Sequence, residues 1–326
     1  MYQQITARLT GAEYQQWEQL LKRGGLVPDT KWDNTVLLWE DGKLMACGSR
    51  KGNLLKCIAV DPAARGEGLL GSVLTGLKQE AFDRGYDHLF LYTKPGNRML
   101  FAPLFFYPVA KSPNVLLMEN RRNGIASFLD TLEAPVTAGK IGAIVMNADP
   151  FTRGHQYLIR QAAERCDWLY VFVLSEEAGC FRAGDRLEMV RRGTAELNNV
   201  TVHPTGDYLI SSATFPSYFL KEREKVDREH CKLDLAVFTR WFVPKFSINC
   251  RFAGTEPNCP VTRTYNEEMA RMLPDAGVEF TEIPRLEQGG APVSAGAVRS
   301  RLARNEEIRD LVPESTYLYL QEINRI

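Results

Sequence analysis

The sequence predicts an α/β protein in two parts, a mixed α/β domain followed by a parallel sheet with helical crossovers. Three observations carry that reading. The chain has 326 residues, more than one hydrophobic core usually serves, so two domains are expected. In the first part, apolar runs follow one another through tight turns, as adjacent strands do. After Lys140, apolar runs alternate with amphipathic helical stretches, the mark of parallel strands joined by helices.

In the first part, TVLLWEDGKLMACGSRKGNLLKCIAV reads as three strands with turns at Asp41-Gly42 and Lys51-Gly52-Asn53. GSVLTGLKQEAFDRGY has helical spacing and ends near Gly85, and HLFLYT is a short apolar strand. ENRRNGIASFLDTLEAPVTAGK breaks both periodicities. The expected organisation is therefore a domain over residues 1–120, a linker over 121–139 and a second domain over 140–326.

In the second part the expected strands are IGAIVM, WLYVFVLS, VTVHPT, FSINCRFAG and VEFTEIPRL. The expected helices are GHQYLIRQAAERC, AGDRLEMVRRGTAEL with Asp185 near its start, VTRTYNEEMARML and VSAGAVRSRLAR. KEREKVDREHCKLD also has helical spacing, and its charge reads as a solvated helix face.

Composition narrows the function classes. Lys plus Arg and Asp plus Glu are 40 each, which argues against nucleic acid or an anionic membrane as partner. No apolar stretch approaches the roughly 20 residues that span a bilayer, and MYQQITARLTGAEYQQ lacks a signal-peptide core. The seven cysteines form no CxxC pair, and the four histidines show no HxH or HxxxH spacing. A cytoplasmic chain without a structural metal is expected.

Chemistry concentrates in MNADPFTRGH, residues 146–155, between an apolar strand and a helix. A parallel sheet binds ligands outside the carboxyl ends of its strands, where helix N-termini present free N–H groups. Pro150 turns the backbone out of strand geometry, and Gly154 permits close approach of a ligand or helix. Thr152 and His155 then place polar groups where the helix dipole favours an anion. His155 either caps the helix or donates to a phosphate whose negative charge grows during transfer.

Other segments supply partners for such a site. Ser294 in VSAGAVR is suited to an N-cap, and Arg299, five residues on, reaches the same helix end with a guanidinium that forks onto phosphates. In FAGTEP, Gly254 lets a base or ribose approach the backbone, and Glu256 is suited to ribose hydroxyls or a hydrated magnesium ion. Arg182 and Arg186 either reach phosphates or pair with Glu188. Ser211, Ser212 and Thr214 either contact an acyl substrate or serve turn chemistry.

The run GAIVMNADPFTRGHQYLIRQAAERCDWLYVFVLSEE resembles the [citrate (pro-3S)-lyase] ligase family, as do FRAGDRLEMVRRG, PSYFLKEREKVD, LDLAVFTRWF and FAGTEPNCPVTRTYNEEM in the same order. TRGH is similar to the HxGH signature of nucleotidyltransferases, with Thr152 in place of the first His. VSAGAVR is similar to their second signature, usually ISSTxxR, with Ala295 and Gly296 replacing hydroxyl residues. IAVDPAARGEGLLGSVL resembles the acetyl-CoA-binding segment of GNAT acetyltransferases. There Arg65, Gly66 and Gly68 match R-x-x-G-x-G/A and Leu70 stands at the last small position. LFLYTKPGNRMLFAPLFFYPVA resembles a later GNAT segment.

The resemblance implies a GNAT-like domain followed by a Rossmann-like nucleotidyltransferase domain. It implies an ATP-dependent acid–thiol ligase that converts acetate to acetyl-AMP, releases pyrophosphate and acetylates a thiol. That thiol belongs to the dephospho-CoA-derived prosthetic group of the citrate lyase acyl carrier subunit, and magnesium arrives bound to ATP. His155, Thr152 and Arg299 take the catalytic roles, and Asn147, Pro150, Gly154, Arg186, Gly254, Glu256 and Ser294 the nucleotide. Arg65, Gly66 and Gly68 would hold a CoA-type arm. Alternatives are a nucleotidyltransferase making a dinucleotide-type cofactor, an acetyl-CoA-dependent N-acetyltransferase and a nucleotide sensor.

Overall fold

The computed structural model describes residues 1–136, 138–210, 215, 218, 223–256 and 259–326. Ser211, Ser212 and Thr214 lie outside the described residues. The chain divides into two units, residues 1–124 with 216–233 and residues 125–215 with 234–326. This departs from the linear division expected at 120 and 140. Residues 125–136 pack as part of the second unit: Ile125 and Leu129 are buried, the Val136 carbonyl accepts from Tyr170 Oη, and the Glu133 carbonyl pairs with His203 Nε2.

The first unit opens with β1 (Tyr2–Thr6) and α1 (Gly11–Arg23), two elements with no counterpart among the expected ones. Thr10 and Glu13 form a capping box at the start of α1, and Trp17, Leu20 and Leu21 bury its inner face. Then come β2 (Asn34–Glu40), β3 (Lys43–Lys51), β4 (Leu54–Val60), α2 (Leu69–Phe82), β5 (Phe90–Thr93), α3 (Arg98–Phe101), β6 (Tyr107–Lys111) and β7 (Leu116–Glu119). They build one sheet in the order β1-β2-β3-β4-β5-β7-β6. Its neighbours are antiparallel except β4 and β5, which run parallel and pair at Leu54↔Phe90 and Leu55↔Leu91 before parting. Val73, Leu74 and Leu77 of α2 fill the core against Val36, Leu38 and Ala46.

The second unit holds α4 (Gly124–Asp130, beginning at the unit boundary), β8 (Ile141–Met146), α5 (Arg153–Ala163), β9 (Trp168–Val173), α6 (Ala183–Thr194) and β10 (Val200–Pro204). Next in the chain is α7 (Arg223–Val237), whose residues 223–233 belong to the first unit, and the second unit continues with α8 (Val243–Phe246), β11 (Cys250–Gly254), α9 (Pro260–Met272) and β12 (Glu279–Ile283). The short strands β13 (Glu287–Gln288) and β14 (Ala291–Pro292) precede α10 (Ala295–Ala303) and α11 (Glu314–Glu322). The five main strands are all parallel, in the order β10-β9-β8-β11-β12. After β8 the chain builds outward through β9 and β10, then returns to the other side for β11 and β12. The switch point lies between β8 and β11.

Alternation along the buried strands sorts residues onto the two faces. Ile144, Met146, Leu169, Val171 and Phe252 meet Ile159, Met189 and Val298 on one face. On the other, Phe172 lies with its ring 5.1 Å from those of Phe242 and Phe246. The charged stretch expected to be a solvated helix face is α7, whose division between units falls after Leu233. It is solvated only in part, because Glu229, His230 and Asp234 are buried, and Glu229 accepts from Ser112 Oγ at 2.7 Å. Among the described residues no helix is long and apolar enough to cross a membrane.

Phe172 is fully buried, so Phe172→Ala is expected to destabilise the second unit by about 3–5 kcal/mol. Denaturant titration of the whole chain followed by near-UV circular dichroism reads this as an earlier loss of aromatic signal.

Candidate active site

β8 and β11 pair at Gly142↔Cys250 and Ala143↔Arg251 and part beyond. Their carboxyl ends therefore open into a cavity of about 650 Å³, lined also by α5, α9, the end of β12 and the start of α10. That volume is of the size that holds a small-molecule ligand.

The polypeptide leaves β8 through Asn147, Ala148 and Asp149 and re-enters helix at Arg153 with Thr152 as N-cap. The cap is reciprocal. Thr152 Oγ1 accepts from the His155 N–H at 3.3 Å, and the Thr152 N–H donates to His155 Nδ1 at 3.1 Å. An imidazole nitrogen thus occupies the place usually taken by a Glu carboxylate or Gln amide oxygen in a capping box. Because Nδ1 accepts, the neutral ring carries its proton on Nε2. Phe151, fully buried, stacks behind the imidazole with ring centres 5.8 Å apart.

Burial lowers the His155 pKa from 6.5 to about 4, and the positive charge of Arg285 pushes it in the same direction. At neutral pH the ring is an uncharged Nε2–H donor at a helix N-terminus, fitted to the oxygen of an anion.

α10 completes this side of the cavity. Ser294 is its N-cap, accepting from the Ala297 N–H at 3.2 Å. A Cβ on Gly154 would stand 2.6 Å from the Val293 carbonyl oxygen, so the glycine lets the α10 entry lie directly against α5. Arg299 donates to the Asp149 carbonyl and lies 3.7 Å from its carboxylate while lining the cavity.

A model of the citrate lyase ligase C-terminal domain matches residues 141–320. The chain is 41% identical over 314 residues to a [citrate [pro-3S]-lyase] ligase of Klebsiella pneumoniae, spanning 94% of this chain and 92% of that one. This chain belongs to the citrate lyase ligase family. A phosphopantetheine adenylyltransferase of Clostridium botulinum is 37% identical over 78 residues, 23% of this chain and 43% of that one. An acyl-CoA N-acyltransferase structure from Pseudomonas aeruginosa aligns over 37% of this chain and 99% of its own, at 19% identity and a TM-score of 0.32.

In this citrate lyase ligase family member the residues singled out by sequence do different work. His155, Thr152, Asn147, Gly154, Gly254, Glu256, Ser294 and Arg299 all line the one cavity. The Thr152 hydroxyl is held by His155, so Thr152 acts through the imidazole rather than as a separate donor. Glu256, on the cavity wall, is paired with Arg285 and accepts from the Cys259 N–H.

Pro150 and Arg186 depart further from expectation. Pro150 is buried away from the cavity lining. Arg186 is fully buried, and its guanidinium donates to the carbonyls of Asn147, Phe181 and Glu176. It neither faces the cavity nor pairs with Glu188, which binds Arg192 instead; it ties the β8 loop to the loop before α6. Arg182 is exposed.

Two functional-looking residues escaped the sequence reading. Asp149 is buried and its carboxylate accepts from the N–H groups of Cys180 and Phe181, at 3.0 and 2.9 Å. Arg285, one residue beyond Pro284 at the end of β12, lines the cavity and donates to the Thr255 carbonyl. A basic residue just past a strand at the ligand-binding edge was the available signal.

In the first unit, the parted strands β4 and β5 bound a second cavity of about 670 Å³. Arg65, Gly66 and Gly68 lie on its wall, as does Leu70. Gly66 and Gly68 have φ of 95° and 77°, and Gly68 is the N-cap of α2 without a side-chain cap. The glycines meet a conformation that other residues avoid, leaving first-turn N–H groups uncovered.

The His155 ring is expected to titrate near pH 4 in histidine-resolved NMR. Its folded value is depressed, so its contribution to stability is complete above pH 6.5 and lost as pH falls through about 4. His155→Asn should remove that part of the acid destabilisation. Gly154→Ala should cost about 1–3 kcal/mol in a thermal melt, because the new methyl meets backbone oxygen and no side chain can give way.

Proposed function

We propose that this chain is an ATP-dependent acid–thiol ligase acting on citrate lyase, with the adenylation step at the crevice between β8 and β11. The observation that carries the reading is the His155 imidazole, held neutral by burial and by the charge of Arg285, with Nδ1 accepting from the Thr152 N–H and Nε2–H left as its donor, in a chain of this family. An acetate oxygen attacks the α-phosphorus of ATP, the bond to the β-phosphate oxygen breaks and pyrophosphate departs with the electron pair. The product is acetyl-AMP. A thiol on the citrate lyase acyl carrier then attacks the acetyl carbon, AMP leaves, and the thiol proton passes to solvent.

Each residue has a physical task in the first step. His155 Nε2–H donates to an α-phosphate oxygen as its charge grows, and the N-termini of α5 and α10 add N–H dipoles. Arg299 and Arg285, both on the cavity wall, set cationic charge beside the triphosphate. Thr152 orients the imidazole, Ser294 shapes the α10 entry, and Asn147, Gly154 and Gly254 border the nucleotide. Magnesium accompanies the triphosphate and neutralises part of its charge.

The thiol donor is proposed to be the dephospho-CoA-derived group of the carrier subunit. Arg65, Gly66 and Gly68 would hold such an arm, a role supported by the uncapped start of α2 on an apolar-walled cavity. The reaction is placed in the cytoplasm, where ATP is available. A cofactor-making nucleotidyltransferase is not favoured, since the likeness to phosphopantetheine adenylyltransferase reaches 23% of the chain while ligase relatives span 94%. An acetyl-CoA-dependent N-acetyltransferase is not favoured either.

The purified chain should release pyrophosphate from ATP when acetate is added, and restore acetyl groups on deacetylated citrate lyase. His155→Ala should lower the rate of pyrophosphate release roughly 10²–10³-fold, the usual loss for one such donor. Pyrophosphate release with phosphopantetheine and none with acetate would overturn the reading.

A further inference from the structure

The cavity wall contains a cation that the phosphate-binding edge does not use. Arg251 lies in β11 level with Ala143, three residues before Gly254 ends the strand, and only 3% of it is exposed. It nevertheless lines the cavity. Its guanidinium carbon sits 4.1 Å from the Phe238 ring centre and 5.8 Å from that of Tyr265. Nη2 makes a long contact to Tyr265 Oη at 3.4 Å, and that hydroxyl donates in turn to Asp234. Nη1 is buried with no hydrogen-bond partner among the described residues.

Arginine carries five N–H donors in a fixed plane, and a buried donor left unmade is costly. An anion entering the cavity and reaching Nη1 would relieve that cost. The phosphates already have their groups at the sheet edge, namely His155, the α10 entry, Arg299 and Arg285. The second anionic substrate in the proposed reaction is the carboxylic acid, and a planar carboxylate matches a planar guanidinium. Phe238 and Tyr265 flank the cation with ring faces, and Met269 and Ala253 add apolar wall. A short alkyl group beside the carboxylate would meet the apolar surfaces of Ala253 and Met269.

We infer that Arg251 is the carboxylate anchor of the acid substrate, selecting a short-chain monocarboxylate within the cavity. The inference rests on the ligase reading and names a residue for its acid. One carboxylate oxygen is held by the guanidinium, which leaves the other as the nucleophile toward the α-phosphorus. Tyr265 is a positioning residue, setting the plane of the guanidinium through its hydroxyl.

The test compares the whole chain with R251K, R251Q and Y265F, each first checked by thermal melt. Initial rates of pyrophosphate release are measured against acetate at saturating ATP, and against ATP at saturating acetate. R251K keeps the charge and loses the fork, so the acetate KM should rise roughly 10–100-fold with the ATP KM within about 2-fold. Y265F should raise the acetate KM by a few-fold and serves if R251Q does not fold. Independently of turnover, line broadening of ¹³C-acetate by the chain without ATP should be seen for wild type and lost in R251K.

An unchanged acetate KM in R251K overturns the inference, as does a rise confined to the ATP KM. A wild-type chain that broadens the acetate signal through Arg251 but releases no pyrophosphate would overturn the ligase reading and leave the carboxylate site standing. A wild-type chain that turns over acetate normally while R251K and Y265F match it would do the reverse.

Discussion

The backbone N–H of Thr152 points into Nδ1 of His155, and the chemistry of the site follows from that single hydrogen bond. Burial keeps the ring neutral, and with Nδ1 accepting from that N–H the ring carries its proton on Nε2. The charge of Arg285 acts in the same direction as burial. A helix cap has in this way fixed the imidazole and its one N–H donor at the cavity wall. The same bond satisfies one of the orphan N–H groups that every helix start leaves.

A neutral imidazole suits the reaction assigned to it. Phosphoryl and nucleotidyl transfer need charge stabilisation at the phosphate oxygens more than proton movement. A fixed N–H donor in a partly enclosed cavity costs no reorganisation when the charge develops. The surroundings keep it fixed: Phe151 stacks behind the ring, and Gly154 lets the Val293 carbonyl close against the first turn of α5. Arg186 and Asp149 hold the flanking loops from inside, using their charge on backbone groups instead of on a ligand.

Both cavities arise from one geometric cause. Where two parallel strands begin paired and then diverge, their carboxyl ends leave a wedge that no side chain from the sheet fills. β8 and β11 part after Ala143 and Arg251, and β4 and β5 part after Leu55 and Leu91. Each wedge has a helix N-terminus at its mouth, α5 in one unit and α2 in the other. One unit equips it with an imidazole and arginines, the other with positive-φ glycines and apolar walls.

The local alphabet was enough to place IGAIVM as a strand, TRGH at a helix start and VSAGAVR at another, because caps, glycines and strand periodicity act over a few residues. It was also enough to bring His155, Ser294 and Arg299 to one edge of the sheet, where they line a common cavity, since parallel α/β order sends strand ends to the same side. Which charged groups face that edge was not legible. Arg186 looked like a ligand group, yet it is consumed by three carbonyls, partners brought together only by folding. Arg251 and Arg285 gave no motif at all. Their placement depends on where strands diverge and on which rings close over them, and no local stretch of sequence encodes a distance between residues a hundred positions apart.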